Sequence, residues 1–308
     1  MAVLCVLPTL LVVLAPLVAA VAVQTGGSGG AAIAEAPSMS PRGAMVVVEP
    51  RQHGHLGYVL HNFNKNMPPR YDLYIFHGQS TGAHARGAAA GIERRRAVHF
   101  VSLPVDDLSA DAYNELLKSP AEFWDKIDAE HVLVFQTDSV LCSASPYTIA
   151  DFEPLGYIGC IAAPDGDAGP DSHWRRTHPL YAYWGSGGLS FHRKSAALQC
   201  LAARGPPRVP TTYPEDTFYS ECVTLGHGSP PPGAAWTAAF CTQDTFVKRS
   251  FGAHRIHDRL GWFRDMFDFL VYCPEAVPLL LPGPDHNLSS VDAADSFWGA
   301  WRQACFAP

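Results

Sequence analysis

The chain has 308 residues, of which 47% are hydrophobic and 17% charged, a balance that suits a globular protein with a well-filled core. Its formal net charge is −7 and it has no long basic run, so we expect no nucleic-acid partner. The densest basic cluster is the run of three arginines at 94–96, which we interpret as a solvated turn.

The amino-terminal segment, residues 1–23, carries no charged side chain and is almost entirely apolar. Pro8 and Pro16 interrupt it, and the small residues at 20–22 resemble a signal-peptidase cleavage site. We therefore predict a signal peptide or an uncleaved signal anchor, which would be a single amino-terminal membrane anchor. The Gly- and Ala-rich residues 24–43 predict a flexible stem.

The remaining chain divides into a predicted folded domain, residues 44–275, and a carboxyl-terminal extension, residues 276–308. With an entry signal ahead of it, the domain is expected in the secretory pathway. It would be either secreted or a type II membrane protein facing the Golgi or ER lumen.

Seven cysteines follow the entry segment, at positions 142, 160, 200, 222, 241, 273 and 305. No two are spaced as Cys-x-x-Cys, which disfavours a thiolate zinc site. In an oxidising lumen we expect between one and three disulfides and at least one remaining thiol, with the pairing left open. Alternatively, several of these cysteines are reduced and buried as small hydrophobic residues.

Apolar runs and helical periodicity alternate along the chain. In chain order, they predict a strand at 44–50, a helix through 56–63, strands at 72–78 and 97–104, one helix or two short ones within 106–120, a helix start at Ser119, strands at 131–137 and 157–164, helices at 195–205 and 214–226, and a strand at 236–244. This alternation predicts an α/β fold with a mixed, mostly parallel sheet flanked by helices.

The strand at 131–137 runs directly into Gln136, Thr137 and Asp138. Ligands of open α/β sheets bind at the carboxyl ends of strands, and a carboxylate there can hold a divalent cation. Such a cation can stabilise a departing diphosphate. The alternative is that Asp138 only caps the following turn.

The segment at 184–194 is rich in glycine. Gly187 and Gly188 would let the backbone approach a ligand closely, and Trp184 could form an apolar or stacking wall. The alternative interpretation is a glycine-rich turn that precedes a strand.

Two further groups of polar residues are candidates for chemistry. Glu215 and Asp216 fall in the first turn of a predicted helix, where they either suit the helix dipole or provide a general base. His254 and His257 are spaced by three residues, and His254 could contribute a nitrogen ligand to a mixed metal site. As a lone pair, such histidines are more often ordinary surface or core residues.

Seven segments in this order resemble an uncharacterised family of glycosyltransferase-like domains: VVVEPR, YIFHG, VLVFQTDSVLC, YIGCIAAP, WGSGGLSFHRK, PEDTFYSE and FGAH. The resemblance covers roughly residues 44–260. It implies a GT-A-like, Rossmann-related fold and transfer of a sugar from a nucleotide-sugar donor. The acceptor would be a glycan, a protein or a small molecule.

The resemblance also implies a metal and a donor site. Asp138 matches the last carboxylate of the Asp-x-Asp motif of GT-A enzymes, which contacts Mn²⁺ or Mg²⁺, and His254 resembles their late metal-ligand histidine. Gln136 replaces the first carboxylate of that motif, a departure that puts metal dependence in question. Gln136 and Thr137 would line the donor site together with Trp184.

The remaining implied roles concern the nucleotide and the acceptor. Glu49 and Arg51, at the end of the first strand, would hold the nucleotide. Gly187 and Gly188 resemble the glycine pair beside the donor and acceptor sugars. Glu215 and Asp216 resemble the Glu-Asp pair of inverting enzymes, with Asp216 preferred as the catalytic base.

Two other functions stay open. The first is a non-catalytic descendant of the fold that binds a glycan or a nucleotide, a reading that Gln136 favours. The second is a secreted metal-dependent hydrolase that uses Asp138, His254 and Glu215, although no familiar hydrolase spacing is present.

Overall fold

A computed structural model of the chain describes residues 42–160, 185–203, 213–243, 247–256 and 263–280. All of them belong to one unit, Pro41–Phe297. The predictions for the entry segment, for nearly all of the stem and for most of the carboxyl-terminal extension lie outside the described residues. The same holds for Trp184 and His257.

The strands formed by the described residues are short and mostly buried. In chain order they are β1 (Gly43–Glu49), β2 (Tyr71–His77), β3 (Val98–Ser102), β4 (His131–Phe135), β5 (Ser139–Leu141), β6 (Tyr157–Cys160), β7 (Ser186–Arg193), β8 (Cys241–Thr242) and β9 (Gly252–His254). The apolar runs predicted from 44, 72, 97, 131 and 157 therefore are strands, whereas β5 and β9 had no clear sequence signal.

Six of these strands form the main sheet, in the order β3-β2-β1-β4-β7-β6. Neighbouring strands are parallel except around β7, which runs antiparallel to both β4 and β6. The predicted mixed, mostly parallel sheet is confirmed. The order reverses between β1 and β4, and such a switch point opens a crevice at the carboxyl ends of the strands. A smaller sheet has the order β5-β9-β8.

The helices of the described ranges cover this sheet. They are α1 (Leu56–Asn66), α2 (Gly82–Ala88), α3 (Ala110–Leu117), α4 (Lys194–Ala202), α5 (Glu215–Thr224), α6 (Ala234–Phe240) and α7 (Phe263–Tyr272), with 3₁₀ turns at Ile92–Arg94, Trp124–Lys126, Ile149–Asp151 and Pro274–Leu280. Within these ranges, no helix is both long and apolar enough to cross a membrane.

The apolar face predicted for α1 is buried as expected. Leu56, Val59, Leu60 and Phe63 are each at most 1% exposed. Their spacing of three and four residues places them on one side of the helix. The ring of Phe63 stacks on Phe135 of β4 at 3.8 Å between centroids, so this helix packs directly on the centre of the sheet.

Helix α3 begins at a cap that the sequence analysis did not single out. The Ser109 hydroxyl accepts a hydrogen bond from the Ala112 N–H at 3.2 Å. The predicted start at Ser119 does cap a turn, since its hydroxyl accepts from the Glu122 N–H at 3.2 Å. Only the single 3₁₀ turn Trp124–Lys126 follows, so the prediction of a helix that starts at Ser119 is wrong.

The strand predicted at 236–244 is also wrong over most of its length. Residues Ala234–Phe240 form helix α6, and only Cys241–Thr242 is extended. A short apolar run fits a helix or a strand equally well on periodicity alone. Here the helical form lets Phe240 pack edge-on against Phe152, with 5.0 Å between ring centroids.

The arginine run forms a turn as predicted, but only two of its three side chains are solvated. Arg94 and Arg95 are exposed, but Arg96 is only 5% exposed. Its guanidinium donates to the carbonyl oxygens of Met67, Pro68, Tyr71 and Asn64. These acceptors run from the last turn of α1 to the first residue of β2, and burial lowers the pKa of Arg96 to about 10. The side chain fastens the connection between α1 and β2.

Three disulfides join described residues, at the upper end of the expected number. They are Cys142–Cys273, Cys160–Cys241 and Cys200–Cys222. The first ties the segment after β5 to the end of α7. The second joins β6 of the main sheet to β8 of the smaller one. The third joins α4 to α5.

Candidate functional site

A cleft of about 840 Å³ opens at the switch point between β1 and β4. Ten of the eleven site residues proposed from the sequence line it: Glu49, Arg51, Gln136, Thr137, Asp138, Gly187, Gly188, Glu215, Asp216 and His254. The eleventh, Trp184, lies outside the described residues. Residues from five separate parts of the chain therefore meet at one place.

At the end of β1, Glu49 and Arg51 form a bidentate ion pair. The Arg51 side chain donates from Nε to Oε1 at 2.8 Å and from its Nη2 atom to Oε2 at 3.0 Å. This pairing raises the pKa of Arg51, and the Thr137 hydroxyl also lies 3.4 Å from Glu49 Oε2. Glu49 is buried, whereas the Arg51 side chain is 57% exposed. The ion pair thus holds the positively charged Arg51 guanidinium at the rim of the cleft.

In the turn between β4 and β5, Asp138 faces His254. The antiparallel pairing of β5 and β9 aligns Ser139 with His254, which brings the imidazole beside the preceding aspartate. His254 Nε2 lies 3.4 Å from Asp138 Oδ1 and 3.2 Å from Gln136 Oε1. Three potential ligand atoms therefore lie close together just beyond the carboxyl end of β4.

The two distances from His254 Nε2 fit a divalent cation. An octahedral Mg²⁺ lies about 2.0–2.1 Å from each ligand, which puts adjacent ligand atoms about 3 Å apart. Carboxylate, amide and imidazole groups all serve as ligands for such cations. The described residues contain no group of three or more His, Cys, Asp or Glu side chains placed to hold a metal. Among the described residues, a cation here would have Gln136, Asp138 and His254 as its ligands.

The glycine pair lies inside strand β7, not in a turn before it. A Cβ on Gly187 would lie 2.1 Å from Glu215 Oε1, and a Cβ on Gly188 would lie 2.0 Å from the His254 ring. The Gly188 carbonyl accepts from the Gln136 N–H at 2.9 Å. A side chain at either position would force Glu215 or His254 to move, because these two side chains occupy the space of a Cβ.

Glu215 and Asp216 begin α5. Asp216 accepts hydrogen bonds from the N–H groups of Gly187, at 3.3 Å, and Thr217, at 2.6 Å. Burial raises the pKa of both carboxyls, and the charge of Asp216 helps to raise that of Glu215 to about 8. The two backbone donors oppose this effect at Asp216 and favour its ionised form. Burial and the charge of Asp216 therefore favour the protonated form of Glu215, whereas the two backbone donors at Asp216 favour its ionised form.

Helix α3 supplies two site residues that the sequence analysis missed. Asn114 Oδ1 accepts from the Glu215 N–H at 3.4 Å. The Tyr113 hydroxyl is buried, and its raised pKa reflects that burial together with nearby Glu215. Nothing in the local pattern marks these side chains, because Tyr113 and Asn114 belong to an ordinary amphipathic helix.

A third missed residue is Gln243, which follows β8. Its Oε1 atom lies 2.7 Å from Nδ1 of His254. A buried amide just beyond a misassigned strand gave no signal of this contact.

Comparison with known proteins gives one family match. The family model described as "Protein of unknown function (DUF5672)" matches residues 98–254, just over half of the chain. No curated protein sequence matches.

Similar solved structures include a mannosyltransferase from Pyrobaculum calidifontis in complex with GDP-Man and Mn²⁺, at 14% identity and a TM-score of 0.41, covering 90% of this chain and 79% of that one. Residues 1–349 of S. aureus TarS match at 12% identity and a TM-score of 0.42, with 86% and 72% covered. The bifunctional glycosyltransferase WbbM matches at 8% identity and a TM-score of 0.46, with 80% and 52% covered. By its family match, the chain belongs to the DUF5672 family of proteins of unknown function.

Proposed function

We propose that the chain is a GT-A-type glycosyltransferase that moves a sugar from a nucleotide-sugar donor to an acceptor hydroxyl, assisted by Mn²⁺ or Mg²⁺. One observation carries this proposal. A single cleft at the sheet's switch point holds the convergent group Gln136, Asp138 and His254 together with the buried acid pair Glu215 and Asp216.

The donor would bind on the β1 and β4 side. Asp138 and His254 would hold the cation, which when bound neutralises charge on the leaving diphosphate. Arg51 keeps most of its side chain exposed at the rim, where its guanidinium can pair with an anionic part of the nucleotide. Placing the nucleotide at the switch point agrees with the general position of ligands in open α/β sheets.

The acceptor would bind on the α5 side. Asp216, whose ionised form is favoured by two N–H donors, would take the proton from the acceptor hydroxyl. The acceptor oxygen then bonds to the anomeric carbon while the bond from that carbon to the diphosphate oxygen breaks. The products are the glycosylated acceptor and the free nucleoside diphosphate.

The first test is release of nucleotide by the full-length protein from a panel of UDP- and GDP-sugars, with Mn²⁺ or with EDTA. We expect one donor to be turned over and EDTA to stop turnover, as should Asp138→Ala. Asp216→Asn should lower the rate by about 10²–10⁴-fold, the range for loss of a general base. Turnover in EDTA would remove the metal role and keep the transferase. Absence of both turnover and nucleotide binding would refute the transferase.

A second candidate is a protein that binds a nucleotide or a glycan without transferring a sugar. Gln136 supports it, because an amide stands where the expected motif has a carboxylate. So does the finding that the described residues offer no metal group of three His, Cys, Asp or Glu side chains. Calorimetry that shows nucleotide binding without turnover of any donor would favour this function.

We further propose that the protein acts in the secretory pathway, secreted or held by residues 1–23 as a type II membrane protein. The disulfides that join described residues support this location, because disulfides persist in oxidising compartments. Protease protection of the chain in microsomes tests it, and full digestion without detergent would contradict it.

A further inference from the structure

The side-chain contact between Gln243 and His254 has no role in the function proposed above. Both residues are buried, at 5% and 2% exposure, and Nδ1 of the imidazole lies 2.7 Å from Oε1 of the amide. The parallel pairing of β8 with β9 aligns Thr242 with Ala253, so the next residue of each strand lies side by side. The sheet itself therefore sets this contact.

The contact favours a hydrogen on Nδ1 of the ring. An amide oxygen can only accept, so in this contact Nδ1 of His254 donates to Gln243 Oε1, and it lies nearer to its acceptor than Nε2 does to either of the oxygens that it faces. The other nitrogen, Nε2, faces Gln136 Oε1 and Asp138 Oδ1 at 3.2 and 3.4 Å. Metal-ligating histidines commonly use this arrangement, in which an acceptor on the far nitrogen fixes the tautomer and the ring orientation.

We propose that Gln243 is a positioning residue that keeps Nδ1 of His254 protonated and turns Nε2 toward a divalent cation bound with Asp138. This inference rests on the cation of the proposed function. It assigns a task to a residue outside the group of side chains that would touch that cation.

The surrounding contacts show that Gln243 is not the residue that holds the backbone after β8 in place. The neighbouring Thr242 is joined to residues 247–250 by its own hydroxyl, which bonds Ser250 Oγ at 3.0 Å and accepts the Val247 N–H at 3.2 Å. On another side, the His254 ring fills the space that a Cβ on Gly188 would need. The ring is thus confined by Gly188, while Gln243 specifies the state of its far nitrogen.

The test measures Mn²⁺ binding to the full-length protein without any donor, using the electron paramagnetic resonance signal of free Mn²⁺. We expect Gln243→Leu to raise the dissociation constant by about 10–100-fold, the usual cost of losing such a partner. Gln243→Glu keeps an acceptor oxygen and should stay within a few-fold of the wild type. The control Gln199→Leu makes the same change at an exposed position of α4 and should bind Mn²⁺ normally.

A second readout follows the tautomer directly. In protein carrying ¹⁵N-labelled histidine, the His254 nitrogens should show a protonated Nδ1 in the wild type and in Gln243→Glu. That pattern should be lost in Gln243→Leu. A change confined to stability would leave the tautomer signals in place.

Unchanged Mn²⁺ affinity in Gln243→Leu would overturn the inference, and so would absence of Mn²⁺ binding by the wild type. These failures differ from failure of the transferase. Sugar transfer in EDTA would keep the transferase and remove the role of Gln243. Weakened Mn²⁺ binding in Gln243→Leu, with no donor turned over by the wild type, would support the role of Gln243 and count against the transferase.

Discussion

At the scale of single residues, the protonation of Glu215 makes the stability of the protein depend on pH. Its carboxyl is buried beside Asp216, and its pKa rises from 4.5 to about 8 on folding. The folded state therefore binds a proton that the unfolded state has already released over this range. The free energy of unfolding should fall as pH rises from 4.5 to 8, so burial of this carboxyl opposes stability most at alkaline pH.

Glu215→Gln should remove this dependence, because an amide does not titrate. The free energy of unfolding of the variant, minus that of the wild type, should be ~1 kcal/mol or more larger at pH 8 than at pH 5. One pKa unit corresponds to about 1.4 kcal/mol. Urea unfolding at both pH values measures the gain. Glu122→Gln, at an exposed position, is the control. An equal effect of Glu215→Gln at both pH values would contradict the prediction.

Gly188 gives a second prediction, based on shape. Gly188→Ala would place a Cβ 2.0 Å from the His254 ring and force that ring to move. We expect a loss of about 1–3 kcal/mol in the free energy of unfolding, typical of overpacking, together with weaker Mn²⁺ binding. Thermal unfolding and Mn²⁺ titration would measure the two effects.

Gly87 of α2 provides the matched control for that substitution, because a Cβ there meets nothing within 4 Å. Alanine in a helix is favoured over glycine by about 0.5–1 kcal/mol, so Gly87→Ala should stabilise slightly. If the two variants behaved alike, the steric account of Gly188 would be wrong.

At the scale of elements, the sequence predicts best where the apolar pattern is long or the strand is wholly buried. Strand β1 and helix α1 were predicted close to their observed bounds, and Asp138 could be proposed as a site residue from its position after a strand, whereas Glu49 was proposed from the family resemblance. Short segments were not predictable in this way. The three-residue strand β9 brings His254 to Asp138 through pairing with a distant strand, and no local pattern encodes that register.

The disulfides give a prediction at this scale. In the chain-entropy description, a bridge stabilises more when it closes a longer loop. Cys142–Cys273 spans 131 residues and Cys200–Cys222 spans 22. Replacing both cysteines of a pair by alanine should therefore cost about 5 kcal/mol for the first bridge and about 3 kcal/mol for the second. Calorimetric unfolding would compare them, and a larger loss for the shorter loop would argue against this entropic account.

At the scale of the whole molecule, the cleft is an assembly of distant segments around one feature of the sheet. The reversal of strand order between β1 and β4 opens the crevice, and antiparallel β7 returns its glycine pair to the same edge. Helix α5 and strand β9 then close the other side. A rule about topology could locate this site from the sequence, whereas the partners Tyr113 and Gln243 depend on packing between elements and needed the structure.

The positions of the cysteines also determine when during synthesis the disulfides can form. Residues 42–141, with β1 to β5 and α1 to α3, contain no cysteine, and every bridge lies beyond them. During synthesis this part of the chain is made first, and it holds no cysteine of its own. The three bridges can therefore form only after the second half has been made. The wall with Asp216 and His254 is thus the part of the cleft that oxidation can cross-link, whereas the segments that carry Glu49 and Asp138 contain no bridge.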